Sequence, residues 1–363
     1  MTRPARLLLA ATTLAVVGIA NGRAAPADGP PADRRPAAEA ALVQDERLLA
    51  SPGAPVADQR AALKRLAEGS FSRKDFGRAA DFATRYVKLN GGDPEVRDLL
   101  TVSLFRAKRY DDAARALQTE VYGSEKAGQV PSEERLRWLL ECYEQLNDRI
   151  GAKWVLERLV VHHPRREYWG RLLVNVDVAE RLTLDVQRLR LLTGTLSTPD
   201  DYLNMAARAQ RDALPAEARN VLEAGFTAGV LGMGADAARH RQLRDQAVKL
   251  ARDDLQRATA SDTEARARAD SDGLPLVDLG FSLVTHGQAA RGMALMDAGL
   301  KKGVKTIPQD SKLRLAIVHV WQGQRAKALE LLRSVSGRHG AGDVARLWEW
   351  YLLNPEMPPP GPR

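Results

Sequence analysis

The histidines are the residues of this sequence whose chemistry would suit a metal site or proton transfer. His162 and His163 are neighbours, and on a helix their side chains would point about 100° apart, so they would not share a metal. His286 and His319 occupy similar places in two consecutive segments, and a site shared between them stays a hypothesis. Neither a Gly-x-Ser-x-Gly nucleophile motif nor a His-Glu-x-x-His zinc motif occurs in the sequence. We therefore predict a protein that is not an enzyme, with no catalytic residues, no metal and no cofactor.

A glycine-rich segment is a second place where a ligand could bind. It reads Gly229-Val-Leu-Gly232-Met-Gly234 and comes before a predicted helix, whose N-terminus could hold an anion. The order of the glycines is not that of a dinucleotide-binding site, and no predicted strand precedes it. We therefore prefer a turn between two helices.

The single cysteine carries little chemistry. Cys142 is the only cysteine of the chain, so no intrachain disulfide can form. It lies within an apolar helical pattern, which favours a small buried side chain over a reactive thiol.

The start of the chain, residues 1–22, has the organisation of a secretory signal peptide. Arg3 and Arg6 precede an apolar run from Leu7 to Ala20, and small residues follow this run. A membrane-spanning helix needs roughly 20 apolar residues, so the run is too short to cross a bilayer comfortably. We predict a cleaved signal peptide over residues 1–22 and a periplasmic protein. An uncleaved anchor is the alternative.

Composition divides the rest of the chain into three parts. Residues 23–55 are rich in proline and alanine and are expected to form a flexible leader, with a short helix over Ala37–Ala50. Residues 56–353 have the apolar periodicity of helices. Residues 354–363 are rich in proline and are expected to be disordered.

The positive charge of the chain does not by itself indicate nucleic acid. The formal net charge is +8, and removal of Arg3 and Arg6 with the signal peptide (8 − 2) leaves +6. The basic residues are dispersed among acidic ones, and an exported protein would not meet nucleic acid. A peripheral contact with anionic lipid headgroups, or with an acidic segment of a partner, stays open.

Two consecutive segments with the same internal spacing organise the C-terminal part of the chain. In each, an apolar helical pattern is followed by a glycine and then by a second helical pattern with a small residue at its centre. The glycines are Gly287 and Gly323, and the small residues are Gly292 and Ala328. A small residue is needed where two helices cross closely, so each segment predicts a helix–turn–helix unit.

The same spacing extends towards the N-terminus. The interval from Ala79 to Ala113 is one full period of such a repeat. Longer intervals later in the chain predict two degenerate units, at Glu167–Thr193 and at Asp236–Ala269. A last apolar pattern over Asp343–Leu353 predicts a helix that covers the end of the stack. The prediction is an all-α superhelical solenoid of about seven helix–turn–helix repeats with a C-terminal capping helix.

The region from Arg60 to Leu353 resembles the tetratricopeptide repeat (TPR) proteins of Gram-negative bacteria. A narrower resemblance is to secreted repeat proteins encoded beside TonB systems. It is carried by the segment Pro164…Glu167-Tyr168-Trp169, and by Leu279-Gly280, Gly287, Lys302-Gly303 and Arg346-Leu347-Trp348. It implies a periplasmic accessory that docks on TonB–ExbB–ExbD components or on an outer-membrane receptor. An alternative function is a structural or assembly factor of the cell envelope that contacts peptidoglycan, lipid or a secretion complex.

In arrays of this kind the first helix of each repeat lines the concave face. Near the C-terminus the inward positions are apolar, whereas the equivalent positions Arg137, Glu141 and Glu144 are charged. An exposed apolar patch of this kind marks a binding site for an amphipathic helix or a short apolar peptide. The alternative is that a tight superhelix, or the helix carrying Trp348 and Trp350, fills the space. The predicted partner-binding residues are Val277, Phe281, Val284, Leu313, Ile317 and Val320.

Overall fold

The computed structural model describes residues 35–337 and 340–354, and these contain 18 α-helices, one 3-10 turn and no strand. The predicted signal peptide, residues 23–34 of the leader and residues 355–363 of the tail lie outside the described residues. In chain order the helices are α1 (Arg35–Ala50), α2 (Val56–Ser72), α3 (Phe76–Lys88), α4 (Pro94–Arg106), α5 (Tyr110–Lys126), α6 (Glu133–Gln145), α7 (Arg149–His162), α8 (Arg166–Val174), α9 (Thr183–Leu192), α10 (Pro199–Arg211), α11 (Pro215–Thr227), α12 (Ala237–Ala258), α13 (Thr263–Ala269), α14 (Leu274–Thr285), α15 (Ala289–Lys302), α16 (Pro308–Trp321), α17 (Arg325–Ser334) and α18 (Ala341–Leu353). The 3-10 turn, Glu180–Leu182, comes directly before α9.

The chain forms two compact units that divide between Leu99 and Leu100. In the first unit α1 packs against α2, and α2 packs against α3. The guanidinium of Arg65 on α2 donates to both carboxylate oxygens of Asp45 on α1, at 2.9 and 2.6 Å. The short helix predicted within a flexible leader is therefore a packed part of this unit, because this ion pair and its contact with α2 hold it.

In the second unit, each helix from α5 to α18 packs against the next helix in the chain. This confirms the predicted all-α architecture of helices in adjacent pairs. The first degenerate segment forms α8 and α9. The second forms one helix of 22 residues, α12, and the short α13. Few side chains of α12 are buried, and three of the four are alanines, so the regular pattern that would mark a repeat is absent.

A very close helix crossing lies between α14 and α15, where two pairs of glycines face each other. A Cβ atom on Gly292 would lie 2.4 Å from the carbonyl oxygen of Gly280, and one on Gly299 would lie 2.5 Å from that of Gly273. Side chains at these positions would force the two backbones apart. The predicted need for a small residue at Gly292 is thus confirmed, and the nearby carbonyl oxygen of Gly280 explains why even alanine does not fit.

We expect Gly292→Ala to lower the free energy of unfolding by about 1–3 kcal/mol, because an inserted methyl group overpacks the crossing. Gly123→Ala is the matched control, because a Cβ atom there meets nothing within 4 Å inside α5. The control should gain about 0.5–1 kcal/mol from the better helix propensity of alanine. Urea unfolding of both variants checks the prediction, and equal effects would contradict it.

The C-terminal helix α18 does more than cover the last hairpin. It contacts α16 and α17 and also reaches back to α9. The indole Nε1 of Trp348 donates to the carbonyl oxygen of Asp185 at 3.1 Å, and Asn354 Nδ2 donates to that of Val160 at 3.2 Å. Tyr351 lies edge-on against Trp169 of α8, with the ring centroids 6.5 Å apart. The helix predicted as an end cap therefore joins the last hairpin to the middle of the second unit.

His319 on α16 is fully buried, and its Nδ1 lies 2.5 Å from Gln324 Oε1. Burial lowers the pKa of His319, and the hydrogen bond with Gln324 opposes this only in part. Because the pKa of His319 is lower in the folded chain than in the unfolded chain, only the unfolded chain binds a proton at this residue once the pH falls just below about 6.5. Stability should therefore be fully present above this pH and decline below it.

We expect the free energy of unfolding to fall as the pH drops below about 6.5, by up to about 1.4 kcal/mol per pH unit from this one group. His319→Leu should flatten this slope, whatever its effect at neutral pH. Part of the slope should remain, because burial also lowers the pKa of His162. Urea titrations at several pH values check the prediction, and an unchanged slope in the variant would contradict it.

Candidate functional site

The six residues predicted to bind a partner are all in the interior. None of their side chains is more than 7% exposed. They lie on α14 and α16, and α16 contacts α14, α15, α17 and α18, so its apolar side chains are covered around the helix. The structure therefore has no open apolar groove at these six residues. The space is filled, as the alternative hypothesis predicted. The charged positions Arg137, Glu141 and Glu144 are exposed.

Phe281 shows how this space is filled. Its ring lies 5.7 Å from the ring of Trp321, and the guanidinium carbon of Arg188 lies 4.7 Å from its centroid. Arg188 is 1% exposed, so this cation–π contact is shielded from water. Phe281 is a core residue whose ring packs against the buried guanidinium of Arg188.

The carboxylate of Glu217 neutralises this charge, and the buried carboxyl group of Asp185 lies beside it. Arg188 donates from Nε and Nη2 to the two carboxylate oxygens of Glu217, at 2.7 and 2.6 Å, and also bonds Asp185. Burial raises the pKa of Asp185, although Arg188 and Arg314 oppose the shift. Burial disfavours the charged form of Arg188 too, but Glu217 and Asp185 together raise its pKa above the ordinary value.

This ion group was not predicted from the sequence. Its one local signal is the spacing of Asp185 and Arg188, three residues apart on α9, where both share a helix face with buried leucines. Glu217, the bidentate partner, lies 29 residues away from Arg188, and nothing in the helical pattern connects the two.

We expect Phe281→Ala to lower the free energy of unfolding by about 3–5 kcal/mol, because it leaves a cavity and removes the ring beneath Arg188. Ile150→Ala is the control, since Ile150 is 85% exposed and its truncation should change stability by less than about 0.5 kcal/mol. Thermal and urea unfolding of both variants measure the difference. A nearly neutral Phe281→Ala would contradict the buried role.

The histidines have separate partners. His163 Nε2 lies 2.7 Å from the carbonyl oxygen of Pro131, and His162 Nε2 lies 3.9 Å from Glu125. His286 Nε2 lies 2.9 Å from Asp254, whereas His319 pairs with a glutamine. In the described part of the chain no group of three or more His, Cys, Asp or Glu side chains could hold a metal ion.

The glycine-rich segment forms the turn between α11 and α12. Gly229, Gly232 and Gly234 have φ angles of 68°, 84° and 67°, a region that favours glycine. The backbone N–H of Gly232 donates to Nδ1 of the buried His240 at 3.1 Å. The preferred interpretation, a turn between helices, is confirmed.

A surface pocket of about 400 Å³ lies among α12, α13 and α14 and is the strongest candidate for a functional site. Asp254 on α12 is a polar lining residue of this pocket, and its side chain is held by hydrogen bonds. Asp254 Oδ2 accepts a hydrogen bond from Ser282 Oγ at 3.1 Å and lies 2.9 Å from His286 Nε2. Burial raises the pKa of Asp254, but the hydrogen bonds with His286 and Ser282 outweigh this and leave it below the ordinary value. The carboxylate is therefore held ionised and oriented.

This arrangement does not suit nucleophilic catalysis. A catalytic serine donates its proton to a histidine, which in turn is oriented by a carboxylate. Here Ser282 and His286 both bond the same carboxylate oxygen of Asp254. The geometry suits a fixed binding surface instead.

Two arginines stand at the mouth of the pocket. The side chains of Arg257 and Arg266 are 71% and 72% exposed. Leu279 and Ala258 form an apolar part of the wall, and both belong to one hydrophobic cluster beneath it. A pocket with an apolar wall and exposed cationic side chains can bind a ligand that has an anionic end and an apolar end.

No family model matches this chain, and no curated protein is significantly similar to it. Among the described residues, no helix combines the length and apolar character needed to cross a membrane.

Proposed function

We propose that this protein is an exported protein-interaction scaffold of the periplasm. The supporting observation is the succession of paired helices in the second unit, which leaves an open pocket among α12, α13 and α14. Helical hairpins stacked in this way present extended surfaces for binding other proteins. The apolar run after Arg3 and Arg6 supports export.

The partner in this proposal is a segment of another protein, and its binding site is the pocket. The spacing of the repeat units supports a TPR-like scaffold. The resemblance to repeat proteins encoded beside TonB systems makes TonB–ExbB–ExbD components and outer-membrane receptors the first partners to test.

Site-specific photocrosslinking in living cells tests the proposal. We would replace Ala260, which is exposed and lines the pocket, with p-benzoylphenylalanine. The matched control carries the same photocrosslinking residue at Ala238. Ala238 is also exposed, but it lies near the start of α12, roughly 30 Å away along the helix axis. Illumination should give a discrete protein adduct in the periplasmic fraction from position 260 and none from position 238.

The adducts would be probed for TonB, ExbB, ExbD and the outer-membrane receptors. A discrete adduct with another protein would keep the scaffold and replace the TonB assignment. Identical adducts from both positions, or recovery of the protein from the cytoplasm with the predicted signal peptide still attached, would overturn the proposal.

A further inference from the structure

We propose that the pocket among α12, α13 and α14 binds an acidic side chain of a partner peptide together with an apolar side chain beside it. The acidic side chain would lie between the guanidinium groups of Arg257 and Arg266. The apolar side chain would lie against the small surfaces that Leu279 and Ala258, 9% and 6% exposed, present to the pocket. This inference rests on the proposed function, because it names the chemistry that the same pocket would recognise in a protein segment.

The charge of the pocket wall favours an anion. Its lining side chains include two positive charges, Arg257 and Arg266, and one negative charge, Asp254, so their sum (2 − 1) is +1. The negative charge already has hydrogen-bond partners within the protein, since Asp254 Oδ2 bonds Ser282 and His286. It therefore offers little to a cationic ligand.

The two arginines are only weakly engaged within the protein. Arg257 Nη2 lies 3.3 Å from Asp254 Oδ1, a long hydrogen bond, and Arg266 Nη2 lies 3.1 Å from Asp262, which is itself exposed. Exposed ion pairs contribute little to stability. A guanidinium has five N–H donors, so both side chains keep donors that a bound carboxylate can accept from.

The remaining wall selects for an apolar neighbour of the anion. Leu279 and Ala258 pack with Leu283 and Leu295 in one buried cluster, so this part of the wall is fixed by the core. Ala213, from the turn after α10, also lines the pocket. A free inorganic anion would use only the arginines, whereas an acidic residue beside a leucine would use both parts of the wall.

Two blocked dipeptides that differ only in charge test this inference on the full mature chain. One contains glutamate followed by leucine, and the other contains glutamine followed by leucine, each acetylated at its N-terminus and amidated at its C-terminus. Binding is followed by NMR, through the guanidinium signals of Arg257 and Arg266 and the backbone amide signal of Thr263. We expect the glutamate peptide to bind about tenfold more tightly than the glutamine peptide, because only the glutamate makes charge-assisted hydrogen bonds.

Single substitutions then assign the contacts of the acidic side chain. Arg257→Gln and Arg266→Gln should each weaken binding of the glutamate peptide by about tenfold. Arg252→Gln is the matched control, since Arg252 is exposed on α12 but does not line the pocket. Equal binding of the two peptides would overturn the inference, as would unchanged binding by the two arginine variants.

The two proposals fail in different ways. A crosslinked partner at position 260, together with equal binding of the two dipeptides, would support the scaffold function and contradict the acidic ligand. Tighter binding of the glutamate dipeptide without any crosslinked protein would support the proposed chemistry of the pocket and contradict a protein partner.

Discussion

The second unit depends on the neutralisation of one buried positive charge. Arg188 is enclosed on α9 and is balanced by Glu217 on α11 and Asp185 one turn away. Removing each such ion from water costs several kcal/mol, and only good geometry with complete hydrogen bonding offsets that cost. The bidentate contact with Glu217 and the aromatic face of Phe281 on α14 supply this geometry for Arg188, while Asp185 Oδ2 has no hydrogen-bond partner among the described residues. Three helices that are distant in sequence must therefore meet in one arrangement, because any shift would leave a charge buried and unpaired.

The charge also distinguishes α9 from the regular repeat helices that the sequence predicted elsewhere. A regular unit would place apolar side chains where Asp185 and Arg188 lie, and its helices would interact only with their neighbours. Here α9 also contacts α18, and Trp348 of α18 donates a hydrogen bond to the backbone carbonyl of Asp185. The contact of α9 with α18 is one of several between helices that are not consecutive in the chain, together with those of α14 with α11, α12 and α16.

The local features of the fold could be predicted from the sequence because they depend on residues close together in the chain. The helix pairs follow from the 3.6-residue periodicity, and the α14–α15 crossing follows from Gly292. The filled interior could not be predicted, because spacing alone does not show whether an inner face is open. A signal did exist in α16, where Leu313, Leu315, Ile317 and Val318 are apolar on several sides of one helix, a pattern typical of complete burial. The candidate pocket was missed because Asp254 and Arg257 come together with Ser282 only after α14 packs on α12.

The position of α18 has a consequence for how the chain reaches its final state. Trp348 bonds a residue 163 positions earlier, and Asn354 bonds one 194 positions earlier. An open array can fold from any hairpin outwards, since every contact is local. This unit instead completes its core only when its last helix arrives, which raises its contact order and slows the final step. During synthesis α18 emerges after the other described helices, so until then the surface that contacts Trp348 stays uncovered and open to chaperones or to aggregation.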